Sequence, residues 1–109
     1  FSGFVNPIEA MGRSDMIVQL SVWENCSYTL LDAKAAGLKT VATAVGGNPE
    51  ILGADELVDR QSATLTQDVL QAMRAQLQKD ESEPFAWISN EQMAAQTVDI
   101  YTRVLRGGR

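Results

Sequence analysis

Residues 16–43 read as strand, loop, helix and strand in succession, and that order constrains the fold more than any other feature of the chain. Met16–Leu20 (MIVQL) is apolar and β-branched, with Gln19 its polar interruption. Tyr28–Ala36 reads as a helix whose alanines permit close packing on a sheet, and Gly37 ends it as the residue after the cap. Lys39–Thr43 (KTVAT) is the next strand. Strands joined through a helix pair in parallel. The expected fold is therefore α/β: a three-layer Rossmann-like fragment with a mostly parallel sheet. Such sheets hold ligands outside the carboxyl ends of their strands. The segments following these two strands, 21–27 and 44–50, fall there.

The remaining elements are weaker. Phe1–Val5 reads as a short strand end, and Asn6-Pro7 turns the chain into a short helix through Gly12. Gly46-Gly47-Asn48-Pro49 is a loop, Pro49-Glu50 begins a short helix through Leu52, and Glu56–Val58 is a brief strand. Leu65–Lys79 is a helix, with Leu65, Val69, Met73 and Leu77 on one stripe and Leu70 and Ala72 beside it. After a polar break at 79–83 and an apolar connector at 84–87, Asn90–Leu105 forms the final helix, released by Gly107-Gly108. The 109 residues suffice for one small core.

Composition removes whole classes of function. With no histidine and one cysteine, the chain offers neither imidazole acid–base catalysis nor a thiolate or imidazole zinc site. The net charge of -5 argues against a nucleic-acid groove, which needs clustered basic residues. It leaves room for a nucleotide diphosphate, which a few backbone amides can hold.

Those amides lie at the start of the Tyr28 helix. They have no partners within the helix and suit a phosphate. Ser27 is the candidate N-cap, with Asn25 competing for the role. Asp32 lies about one turn into the helix, too deep to cap it, where a carboxylate can take two ribose hydroxyls. Glu24 lies before the helix, beyond the phosphate position. Each residue also has an ordinary reading. Asp32 can be an exposed helix acid, Glu24 a solvated loop acid, Ser27 only a cap and Cys26 a small packed group. Gly46-Gly47 can admit a ligand or make a tight turn, and Trp23 can anchor a core or line a pocket.

Taken together, residues 24–50 resemble the carboxyl-terminal domain of retaining glycosyltransferases of family 4 (group 1), which have a two-domain type-B fold. Glu24 and Asp32, separated by seven residues, stand where the family carries two glutamates. Beyond them, Ala33 and Ala35-Ala36-Gly37 match the family's small-residue helix end, Val41-Ala42-Thr43 its apolar strand, and Gly46-Gly47-Asn48-Pro49-Glu50 its glycine turn. Two departures are visible: Asp32 is one methylene shorter than the usual Glu, and Asn25-Cys26-Ser27 replaces a commoner Gly-Phe-Gly-like segment.

The resemblance implies a donor-binding domain that takes a nucleotide-diphosphate sugar and transfers a hexose to an acceptor hydroxyl, with a glycan or glycolipid as acceptor. It implies that Glu24 is the catalytic acid beside the sugar, that Asp32 holds the ribose, and that the Cys26-Ser27-Tyr28-Thr29 segment meets phosphate or sugar oxygens. Val5 would offer backbone contacts to the base. No metal and no cofactor is called for. The resemblance extends over nearly the whole chain. Further expectations are an amino-terminal acceptor domain and a diphosphate-binding Arg and Lys upstream of Phe1, and a final helix that packs on that domain. The expected location is cytoplasmic, at the inner face of the membrane, with membrane contact made through the part outside this chain. An epimerase on the same fold and a non-catalytic binding homologue are the alternatives.

Overall fold

A computed structural model describes residues 3–80 and 87–107. The elements run α1 (Pro7–Gly12), β1 (Met16–Gln19), α2 (Tyr28–Ala35), β2 (Lys39–Thr43) and α3 (Asn48–Ile51). A 3-10 turn at Ala54–Glu56 leads into β3 (Leu57–Val58), followed by α4 (Leu65–Leu77) and α5 (Asn90–Leu105). The three strands form one open sheet in the order β1-β2-β3, all parallel. Ile17 lies beside Thr40, Gln19 beside Ala42 and Thr43 beside Val58.

The alternation of side chains along these strands builds the layers. On one face, Ile17, Ala42 and Leu57 pack with Leu30 and Leu31 of α2 and with Ile51 and Leu52. On the other, Met16, Val41 and Val58 pack with Leu65, Val69, Ala72 and Met73 of α4. Helix, sheet and helix therefore stack as three layers of a Rossmann-like fragment. β2 is the central strand, and Thr40 through Thr43 are all buried. Its two threonines satisfy their hydroxyls by donating across elements, Thr40 to Glu56 Oε2 and Thr43 to the Ser21 carbonyl.

Several boundaries differ from the sequence expectation. Gly3–Val5 is not a strand: it has no neighbour to pair with among the described residues, and Phe4 and Val5 are exposed. Phe1, the Pro84-Phe85-Ala86 part of the connector and most of the polar break lie outside the described residues. Only Leu57–Val58 of the Glu56–Val58 segment is strand, because Glu56 closes the 3-10 turn. Leu70 and Leu77 of α4 are exposed rather than core, the sheet being too narrow to cover that flank. Asn90–Leu105 is helical as expected, opened by a capping box between Ser89 and Gln92.

One feature had no local sequence signal. Lys34, on the face of α2 turned to the sheet, is buried, and its ammonium lies 3.1 Å from Glu56. The two side chains are 5% and 4% exposed. Beside this pair, Gln76 of α4 and Lys79, just past the end of α4, reach Asp55, and the Lys79 ammonium holds the Asp55 carboxyl below its ordinary value. The 3-10 turn thus fastens α2 through Glu56 and α4 through Asp55.

Candidate functional site

The start of α2 is built by two polar side chains, Ser27 and Gln19. Ser27 is the N-cap, and its Oγ accepts from the Leu30 amide at 3.2 Å and from Gln19 Nε2 at 3.0 Å. Gln19, the polar interruption in β1, therefore ties the end of that strand to the helix start. Asn25 does not cap; its Oδ1 accepts from Trp23 Nε1. Capping satisfies Leu30 and leaves the Tyr28 and Thr29 amides without an acceptor among the described residues. At the other end, Gly37 (φ 78) closes α2 in a Schellman motif, with Leu38 N donating to Ala33 O and Gly37 N to Lys34 O.

The loop before α2 carries Glu24, which is half-buried. Its Oε1 accepts from Ser21 Oγ at 2.8 Å, and its carbonyl accepts from Gly47 N at 3.0 Å. The Gly46-Gly47 turn after β2 packs backbone to backbone against this loop. A Cβ on Gly46 would sit 1.5 Å from the Glu24 carbonyl oxygen, and one on Gly47 2.2 Å from that of Asn25. Gly46 also has φ +52. The pair makes the tight turn that its sequence allows, packed against the loop. Behind it, fully buried Asn48 donates to the Thr43 carbonyl.

Gly46→Ala is therefore expected to cost about 1–3 kcal/mol of stability, combining a left-handed non-glycine residue with displacement of the Glu24 loop. Urea unfolding checks this, and a cost under about 0.5 kcal/mol, the range of an ordinary surface change, would contradict the close approach.

Asp32 is exposed on α2, one turn from Tyr28 and so on the same side of the helix. It lines a groove of about 710 Å³ between α1 and α2, together with Pro7, Ile8 and Met11 and with Ala36 and Leu38. Val5 is exposed two residues ahead of Pro7, at the head of α1. Cys26, Tyr28 and Thr29 are exposed, whereas the Ser27 side chain is buried in its capping role. Trp23 is exposed and anchors no core. Glu24, the α2 start and the glycine turn thus meet beyond the carboxyl ends of β1 and β2, with Asp32 further along α2 on the side of α1.

Sequence reasoning missed the residues that hold this arrangement. Ser21 stands three residues before Glu24, a spacing that invites a hydroxyl-to-carboxylate bond, and Gln19 was visible as a polar residue in an apolar strand. Thr43 gave no such signal, since its partner Ser21 lies in another element.

A parallel α/β sheet covered by helices on both faces, with Glu24 and the α2 start gathered beyond its strand ends, is a fragment of the Rossmann-like class. Within that class, residues 1–79 match the family described as glycosyl transferases group 1, and the chain belongs to that family. It is a glycosyltransferase domain, and such a transferase acts between a sugar donor and an acceptor. The match ends near the close of α4, so α5 lies outside it. No curated protein and no solved structure matches the chain.

Proposed function

We propose that this chain is part of the donor-binding domain of a two-domain, retaining transferase of family 4, which moves a hexose from a nucleotide-diphosphate sugar to an acceptor hydroxyl on a glycan or glycolipid. One observation supports this reading above the others. The unpartnered Tyr28 and Thr29 amides stand between an acid on the preceding loop, Glu24, and an acid one turn into the helix, Asp32. That order suits sugar, diphosphate and ribose along one ligand.

In this reading the helix start holds the diphosphate through free amides and the positive end of the helix dipole. Cys26 and Ser27 contribute main chain to the same turn, and Val5 meets the base. Glu24 favours positive character developing at the anomeric carbon. The departing phosphate takes the proton of the incoming hydroxyl on the same face, and no carboxylate forms a covalent intermediate. The domain's contribution is positioning and electrostatic stabilisation. The Arg and Lys that the family resemblance implies upstream of Phe1 would complete the diphosphate site.

The final helix fits the same reading. Trp87, Met93, Val98 and Tyr101 are each at least 39% exposed, and none of the described residues of α5 is buried. They are proposed to pack on the amino-terminal domain. The enzyme is placed in the cytoplasm, at the inner face of the membrane where a lipid-linked acceptor is met.

Asp32→Asn tests the ribose contact. In the two-domain enzyme it is expected to weaken a free nucleoside diphosphate and its hexose conjugate alike, by about ten- to a hundredfold, the value of hydrogen bonds to a charged group. Calorimetric titration with uridine, guanosine and adenosine diphosphates and their hexose conjugates reads this. Unchanged affinity for every ligand that the parent enzyme binds would remove Asp32 from the site. Tight donor binding with no transfer to any acceptor would favour the non-catalytic homologue.

A further inference from the structure

We propose that Ser21 and Thr43 are positioning residues that present the Glu24 carboxylate to the donor sugar. The proposal rests on the reading of Glu24 as the acid beside that sugar. Thr43 lies at the carboxyl end of β2, the central strand, and is fully buried. Its Oγ1 donates to the Ser21 carbonyl at 2.7 Å. Ser21 Oγ in turn donates to Glu24 Oε1 at 2.8 Å. Gly47, just beyond the same strand, donates its amide to the Glu24 carbonyl at 3.0 Å. The loop is thus tied to β2 at Ser21 and to the turn after β2 at Glu24, and the side chain of one tied residue grips the side chain of the other.

This arrangement does something a loop staple alone would not. A glutamate on an exposed loop samples many rotamers, and ordering it costs free energy whenever it must act. A hydroxyl donor on a residue whose main chain is anchored to the buried Thr43 lowers that cost before the ligand arrives. Because Ser21 takes Oε1, the second carboxylate oxygen, Oε2, has no partner among the described residues and is the one left for a ligand. An acid so placed exerts its effect only where charge develops, so its orientation bears on turnover more than on donor affinity.

The test is a kinetic cycle in the two-domain enzyme with Ser21→Ala, Ser21→Thr, Glu24→Gln and the Ser21→Ala/Glu24→Gln double variant. Ser21→Ala is expected to lower kcat about ten- to a hundredfold, as loss of an orienting hydrogen bond to a charged group does. The donor KM should move less than about threefold, and Ser21→Thr, which keeps the hydroxyl, should restore kcat to within about threefold. In the Glu24→Gln background, Ser21→Ala should add almost nothing, because its effect passes through Glu24. Thr43→Val, with Thr43→Ser as its rescue, provides the same reading should Ser21→Ala fold poorly.

If Glu24→Gln cripples turnover while Ser21→Ala and Thr43→Val leave kcat intact, the positioning role is overturned and the reading of Glu24 stands. Independent, multiplying effects of Ser21→Ala and Glu24→Gln overturn it as well. If Glu24→Gln itself leaves turnover intact, the reading of Glu24 fails and the proposal falls with it.

Discussion

Lys34→Met is expected to lower the free energy of unfolding by about 3–5 kcal/mol, the usual cost of removing one partner of a buried ion pair. The replacement is apolar, of similar length and suited to a helix, so lost packing or propensity would account for little of such a loss. What remains behind is the Glu56 carboxylate, 4% exposed, with the Thr40 hydroxyl as its sole direct donor among the described residues once the ammonium is gone. A second substitution tests that account. Lys34→Met with Glu56→Met removes both charges, and most of the lost stability should return, since apolar replacement of a whole buried pair is often neutral or stabilising. Thr40→Val added to these two removes the hydroxyl left without an acceptor. Urea unfolding of the series, read as a double-mutant cycle, gives the coupling directly. A loss under about 1 kcal/mol for Lys34→Met would mean that the pair behaves as a solvated one, contrary to its burial.

This pair matters to the candidate site because α2 carries both. The amino end of α2 supplies the Tyr28 and Thr29 amides, and its last turn is pinned to the sheet through Lys34, Glu56 and Thr40. The same contacts fix how far the helix start projects beyond the strand ends.

Glu24→Gln is expected to lower turnover by about 2–4 kcal/mol in the barrier, on the order of thirty- to a thousandfold, with donor affinity nearly unchanged. The substitution keeps the shape of the side chain and an oxygen able to accept from Ser21. It removes the charge. A charge favouring positive character at the anomeric carbon stabilises the transition state more than the bound donor. Asp32→Asn should behave in the opposite way, losing affinity for nucleotide and donor together. Steady-state kinetics combined with calorimetric titration separate the two acids. Near-normal turnover of Glu24→Gln with collapsed donor affinity would assign Glu24 to ground-state binding instead. If neither acid mattered, the reading of the paired carboxylates would fail.

The sequence by itself determined the features that depend on neighbours along the chain. The apolar, β-branched runs MIVQL and KTVAT, the serine before Tyr28 and the glycine after Ala36 specify two strands and a capped helix. Each of these signals acts over a few residues, through β-branched strand preference, orphan amides or a left-handed cap. The parallel sheet came with them, because two strands joined by a helix have few other ways to pair. The positions of Glu24 and Asp32 relative to the helix start were legible for the same reason, each being a matter of one turn or one short loop.

Only the tertiary structure decided the rest. Nothing local marks Lys34 as buried; its partner is 22 residues away, and an unpaired lysine at that position would be excluded from the core. Trp23 looked equally suited to a core or a pocket edge, and the loop carries it outward with its indole bonded to Asn25. That the glycine pair packs backbone to backbone against Glu24 and Asn25 has no local signal in the sequence. The bonds from Thr43 to Ser21 and from Gln19 to Ser27 likewise join elements whose approach the chain's local pattern does not encode. Periodicity sets which way a side chain faces on its own element. Which group it meets is set by how the strands align and how the helices settle on them, and that is a property of the packed whole.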